Sequence, residues 1–367
     1  MLRSAARCAV AAAFAALVVL AGCDDPGRDI DQAVLAPREG RVLSKSATQP
    51  DTGVAIVYSL REDMRLKMGW EQFTNTAPHK GRDIYRRLVD DGAIRPDDVF
   101  VPADGDDESL AAVHRKSYLD SLDDRAVVSQ IFDSQAVMWQ SPADSRERIV
   151  GSARAGVGGT MRAAELAAAH GIAIHLGGGF THAFADRGGR GHLLADIPVA
   201  IKMLRQRKLA QKIMVVKLGA LQANGLASCL ADDKETYLLD VYERDNYPPT
   251  KHPEAGGVAI PPGLGDSEYR QKVDDALTRA VRDFQPDFVF YVAGVDVVAG
   301  DPVGRTAMTA SGIVSRDLFV VNMIHGKHIP ICIVLGEGGA ADSWQLTYRS
   351  IRGLLAIYGG VPFRREN

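Results

Sequence analysis

From residue 53 onward, short and nearly unbroken apolar runs alternate with stretches of helical period. The runs GVAIVYSL (53–60), IAIHLGGG (172–179), KIMVVKLG (212–219), TYLLDVY (236–242), PDFVFYVAG (286–294) and IPICIVLGEGG (329–339) predict strands. Apolar runs without polar alternation belong to strands buried on both faces. AAVHRKSYLDSL (111–122), MRAAELAAAHG (161–171) and SEYRQKVDDALTRAVRDF (267–284) carry the helical period, the second closed by Gly171. The alternation predicts an α/β fold with a mainly parallel sheet covered by helices on both faces. Sites in such sheets lie beyond the carboxyl ends of the strands. Three strand-end loops therefore stand out: GGGFTHAFADRGGRG (177–191), KLGALQANG (217–225) and VAGVDVVAGDPVGR (292–305). No internal repeat and no second domain boundary are visible.

The first 52 residues follow a different pattern. Arg3 and Arg7 precede the apolar run CAVAAAFAALVVLA, which ends in LAGC at 20–23. A basic start, a short apolar run and small residues before a cysteine form a secretory signal, and the run is short for a membrane span. The ending resembles the bacterial lipobox. That resemblance implies removal of residues 1–22 and lipidation of Cys23; an uncleaved anchor is the alternative. Asp24 resembles an inner-membrane retention signal in Gram-negative bacteria. Residues 23–52 are polar with scattered Pro and Gly and read as a tether. The expected organisation is thus signal 1–22, lipidated tether 23–52, folded domain 53–362 and tail 363–367, facing the periplasm from a bilayer reached through Cys23.

Composition adds two limits. Of 367 residues 46% are hydrophobic and 24% charged, enough for a sizeable core, and the formal net charge of −3 gives no basic excess for nucleic acid. Apart from Cys8 and Cys23, the cysteines are Cys229 and Cys332, too few and too far apart for a disulfide framework.

With VGGTM (157–161), VHRKSYL (113–119), LLDVYERDNYP (238–248) and LGEGGA (335–340), the three loops resemble the zinc-dependent histone deacetylase family, most closely its class IV branch and bacterial relatives. The resemblance runs over residues 53–362. It implies a three-layer α/β/α sandwich of the arginase/deacetylase type around about eight parallel strands. It also implies a zinc ion held by two aspartates and a histidine, two tandem histidines moving protons, and a tyrosine donating to the oxyanion.

Mapped residue by residue, much of that machinery is replaced. Gly219 and Leu221 stand at the Asp and His ligand positions, and Asp296 is the one ligand position kept. The tandem histidines become Thr181 and His182, with Asn224 at the position that orients the second. Ala340 stands at the tyrosine position, and Gly191 replaces an aromatic ring of the acyl tunnel. Lys217 takes the place of an aspartate that supports the first histidine and a structural cation. A buried ammonium needs a carboxylate, and Asp240 on the adjacent strand is the expected partner; the alternative has Lys217 bending to solvent. His192 is a further histidine within reach, while His79, His114, His170, His175, His252, His325 and His328 are expected to be structural or exposed.

Three functional expectations result. The first is a catalytically silent deacetylase-fold lipoprotein with no cofactor. The second is a hydrolase of acylated amines with a non-standard site drawn from His182, Asn224, Asp296 and Glu337 or Asp186, taking zinc if it takes any metal. Glu337 instead caps a turn or faces solvent in the plainer reading, and Asp186 forms a turn beside Arg187. The third is a binding module whose widened cavity holds a small amine or acylated ligand.

Overall fold

The computed structural model describes residues 53–63, 79–253 and 256–359, all within one compact unit, Leu43–Asn367. The signal, Cys23, Asp24, the tether and the tail lie outside the described residues.

Eight strands form one sheet: β1 (Ala55–Val57), β2 (Val99–Phe100), β3 (Ile172–His175), β4 (Ile213–Leu218), β5 (Thr236–Glu243), β6 (Gly256–Ile260), β7 (Phe288–Ala293) and β8 (Ile331–Leu335). Their order is β2-β1-β3-β8-β7-β4-β5-β6, and every pairing is parallel. All carboxyl ends therefore open on one side. The helices that frame the site and the sheet are α1 (Lys80–Asp90), α2 (Gly151–His170), α3 (Asp196–Gln206), α4 (Asn224–Leu230), α5 (Asp266–Phe284), α6 (Ala310–His325) and α7 (Ser343–Tyr358).

One sheet face packs on α2, α3 and α4. Ala163, Ala167, Ile197, Ile201, Leu226 and Leu230 meet Ala173, Val215, Leu238, Phe290, Val292 and Cys332 in a continuous core. Burial at roughly 25 cal/mol per Å² makes that row of side chains the main force holding the layer. Helix ends follow local chemistry. Gly171, at φ +93, closes α2 so that β3 starts at once, and Thr309 caps α6 by accepting from the Gly312 N–H at 3.0 Å.

Two expectations change in detail. The helical stretch 111–122 is two short helices, Asp107–Ala111 and Lys116–Ser121. The chain leaves the first so that His114 can turn inward, where its Nε2 accepts from the Ala195 N–H at 2.9 Å. The helix expected from 161 is the second half of the longer α2. Cys229 and Cys332 are both free thiols. Among the described residues no helix is long and apolar enough to cross a membrane.

Candidate functional site

Lys217 continues the row Ile213–Val215 that faces the α2–α4 layer, and parallel register puts it directly opposite Asp240 on β5 and Val292 on β7. A charge thus replaces the next apolar side chain of a buried row. Both Lys217 and Asp240 have no solvent exposure, and Lys217 Nζ lies 3.5 Å from Asp240 Oδ1. The ammonium also donates to the carbonyl oxygen of Leu221, and Asp240 Oδ2 accepts from the Ala223 N–H at 2.7 Å. Burial works against the ammonium, but Asp240, Glu337 and Asp296 outweigh it and hold Lys217 above the ordinary lysine range. Burial likewise raises the Asp240 carboxyl, while Lys217 and the Ala223 N–H draw it back.

Gly219 follows immediately. A Cβ there would lie 3.1 Å from Lys217 Nζ and 3.0 Å from Asp296 Oδ1. The ammonium and the Asp296 carboxylate therefore crowd the space that a side chain at 219 would enter. Asp296 is fully buried; its Oδ2 accepts from the Ala220 N–H at 2.9 Å, and its Oδ1 has no hydrogen-bond partner. Burial and the nearby negative charge of Glu337 push its pKa up to about 7.

The loop after β3 brings in the histidine. Its glycines are required: Gly178 and Gly179 sit at φ +69 and +75, and a Cβ on Gly179 would lie 1.9 Å from the Leu335 carbonyl oxygen. Asp196, at the start of α3, pins this turn by accepting from the N–H groups of Gly179 (2.8 Å) and Phe180 (2.9 Å) and from Thr160 Oγ1 (2.6 Å). Thr160 in turn contacts His175, whose Nε2 lies 2.8 Å from Glu62.

His182 is then held between two side chains. Its Nδ1 lies 2.8 Å from Asn224 Oδ1 and its Nε2 lies 3.2 Å from Glu337 Oε1. Thr181 Oγ1 donates to the same Glu337 oxygen at 2.6 Å. Burial opposes the Glu337 charge, but His182, Lys217 and His192 overcome it and hold the carboxyl well below the usual range. His192 stacks on His182, with centroids 5.2 Å apart, and its Nδ1 accepts from the His182 N–H at 3.0 Å. Burial and the neighbouring His182 lower the His192 pKa to about 3.

These groups border a cavity of about 440 Å³ at the carboxyl ends of the strands, lined by His182, Gly191, His192, Leu221 and Glu337 among others. The volume falls within the range of small-molecule sites. Ala340 stands next to its wall at Gly339, with its N–H donating to Asp301 Oδ2 at 3.3 Å. Asp186 lies apart, on the surface beside Arg187. Glu337 faces the cavity side chains rather than solvent. The fold thus brings Lys217, Asp240, Gly219, Leu221, Asp296, Thr181, His182, Asn224 and Glu337 to one end of the sheet.

Sequence reasoning missed Lys80, Arg190 and Tyr247. Lys80 opens α1, lines the cavity, and donates from Nζ to the Gly336 carbonyl oxygen at 3.0 Å. Gly81 explains its placement. A Cβ there would lie 2.0 Å from the Leu176 carbonyl oxygen, so the glycine alone lets α1 press on the end of β3. A lysine in the first turn of a helix opposes the helix dipole, and that anomaly was the available signal. Arg190 lies over the Tyr247 ring at 4.9 Å, and that ring meets His182 edge-on.

The residues present do not fit a zinc ion. A catalytic zinc takes three protein ligands, whereas Gly219 and Leu221 carry no side-chain donor and Asp296 supplies one carboxylate. Among the described residues no three His, Cys, Asp or Glu side chains group as a metal site. The nearby ammonium would repel a divalent ion as well.

The chain matches the family model described as "Histone deacetylase domain" over residues 74–350. It is 33% identical to histone deacetylase 2 of Arabidopsis thaliana over 324 residues, covering 87% of this chain and 84% of that one. An uncharacterised protein of Picosynechococcus sp. is 31% identical over 270 residues, covering 74% and 88% of the two chains. The crystal structure of the HDA15 HD domain matches the fold with a TM-score of 0.66 at 20% identity, covering 82% of this chain and 90% of that one.

Proposed function

The chain belongs to the histone deacetylase family, and within that family we propose that it is a metal-free, catalytically silent member whose cavity binds a small ligand. The observation that carries this reading is the buried Lys217–Asp240 pair, whose ammonium crowds the space next to Gly219 where a ligand side chain would stand. A structural zinc in peptide sites binds with roughly 10–16 kcal/mol, and a lone carboxylate supplies a small part of that. The oxyanion donor is also replaced, by Ala340; one such donor is typically worth roughly 3–4 kcal/mol of barrier. A small amine or acylated amine suits a cavity that offers Glu337, His182 and Arg190.

Metal analysis of the purified protein together with an acyl-lysine deacylase assay tests the proposal. The expected result is substoichiometric zinc and no turnover. Stoichiometric zinc with turnover lost in Asp296→Ala would refute it.

A second reading retains hydrolysis without the family's metal site. It is favoured by His182, whose Nδ1 meets Asn224 Oδ1 and whose Nε2 makes no hydrogen bond and stands 3.2 Å from Glu337 Oε1. Chelator-resistant turnover of an acylated amine that disappears in Glu337→Gln would select it over the silent reading.

We also propose an envelope address, supported by the LAGC motif at 20–23. Lipid on Cys23 would hold the domain at a bilayer facing the periplasm. Mass spectrometry of the mature amino terminus, with Cys23→Ser as control, tests this; an intact Met1 would refute it.

A further inference from the structure

Two buried lysines serve the same end of the sheet, and their surroundings differ in kind. Lys217 has Asp240 at 3.5 Å. Lys80 is 8% exposed, and among the described residues its recorded hydrogen bond is to the carbonyl oxygen of Gly336, with no carboxylate in ion-pair range. It also sits at the positive end of the eleven-residue α1. Burial and helix position both disfavour its charge. The more distant Asp296, Glu337, Asp301 and Asp317 favour it, but burial wins, and the amine is brought down to about 8. A desolvated, weakly held lysine amine facing a cavity is an activated nucleophile.

We propose that Lys80 is a covalent ligand site, whose amine adds to the carbonyl carbon of a small uncharged aldehyde held in the cavity and forms an imine. The Nζ lone pair forms the new C–N bond while the aldehyde oxygen takes up a proton, giving a carbinolamine. Water then leaves with the aldehyde oxygen and both amine protons as the C=N bond forms; nothing is oxidised or reduced. His182 and Glu337 line the same cavity and are the titratable groups assigned to pass the protons. The carbonyl class follows from the neutral amine, and the walls bear on the ligand's charge. Glu62, Asp63, Asp133 and Glu337 border the cavity with Lys80 and Arg190; Glu62, Asp63 and Glu337 lie against His175, Arg82 and His182, so the walls carry no net positive charge to attract a ligand carboxylate and an uncharged aldehyde is the class assigned.

This rests on the ligand-binding role proposed for the cavity and assigns it a different ligand class, a small aldehyde in place of an amine. The test treats the full chain with propanal and cyanoborohydride at pH 8 and quantifies propylation of each lysine by peptide mass spectrometry, with zinc measured on the same sample. Lys80 is expected to react roughly tenfold or more faster than exposed lysines such as Lys116, because more of it is neutral at that pH. Lys217 is expected to stay unmodified, and Lys80→Arg to remove the fast site. Lys80 labelling no faster than exposed lysines overturns the proposal, and the wild-type pattern alone decides this if Lys80→Arg fails to fold. Glyoxylate labelling Lys80 as fast as propanal overturns the assignment of an uncharged ligand. Stoichiometric zinc with fast Lys80 labelling overturns the metal-free reading and leaves the Lys80 site standing.

Discussion

Replacing Lys217 by Met removes the ammonium and keeps most of the side-chain volume. Its partner Asp240 has no solvent exposure, so the carboxylate stays behind in the core with the Ala223 N–H as its hydrogen bond. At 3.5 Å the attraction lost is about 5 kcal/mol with an effective dielectric near 20. Desolvation of two ions consumed a comparable amount when the pair formed, so the intact pair contributes little net stability. Breaking it from one side is a different matter. Lys217→Met is expected to cost roughly 3–5 kcal/mol, and Asp240→Asn somewhat less, because Asn can still accept from the Ala223 N–H. The double variant should recover much of the loss, leaving a coupling energy of roughly 2–4 kcal/mol in a double-mutant cycle. Urea unfolding of the four proteins gives all the required values, provided the slope with denaturant is unchanged. Effects that add within about 0.5 kcal/mol would show that the two charges are independent. The account of Lys217 as a paired internal cation would then be wrong.

Three further outcomes follow from the same geometry. Gly219→Asp with Leu221→His is expected not to bind zinc while Lys217 remains, since its ammonium, 3.1 Å from where a Cβ at 219 would stand, repels a divalent ion there; adding Lys217→Asp should restore binding, read by metal titration. Gly81→Ala is expected to destabilise by roughly 1–3 kcal/mol, because the new methyl would lie 2.0 Å from the Leu176 carbonyl oxygen; thermal unfolding reads the loss, and displaced Lys80 should label more slowly. His114 is buried, and desolvation lowers its pKa to about 4. A lowered folded-state value means its contribution is complete above the unfolded value near 6.5 and is lost as pH falls from there toward 4, about 3 kcal/mol in all; His114→Gln should flatten that part of a stability–pH curve.

Six of the eight strands were legible because each is an apolar run buried on both faces, the one pattern that needs no tertiary information. The other two are edge strands. Val99–Phe100 has two residues, and Gly256–Ile260 begins with two glycines and carries exposed positions, so neither carries such a run. The break at His114 was invisible because the helical period continues through it; a tertiary hydrogen bond to the Ala195 N–H draws the chain out of the helix. The resemblance to the deacetylase family picked out Lys217, Asp240, His182, Asn224 and Asp296, and the fold places them at one end of the sheet. Glu337 was ambiguous, because a glycine-rich turn does not say which way a carboxylate points until β8 and the loop after β3 are brought together. Lys80 had one local signal, its position at a helix start, but its place in the cavity comes from close packing at Gly81.

Residues 217, 219 and 221 make one physical unit. The Lys217 ammonium lies against the backbone of Gly219 and donates to the Leu221 carbonyl oxygen. A carboxylate side chain at 219 would need that space. A Cβ at 219 would press on the Lys217 ammonium and the Asp296 carboxylate, so a larger side chain at 219 requires both to shift, while removing the ammonium alone leaves Asp240 as an unpaired buried carboxylate.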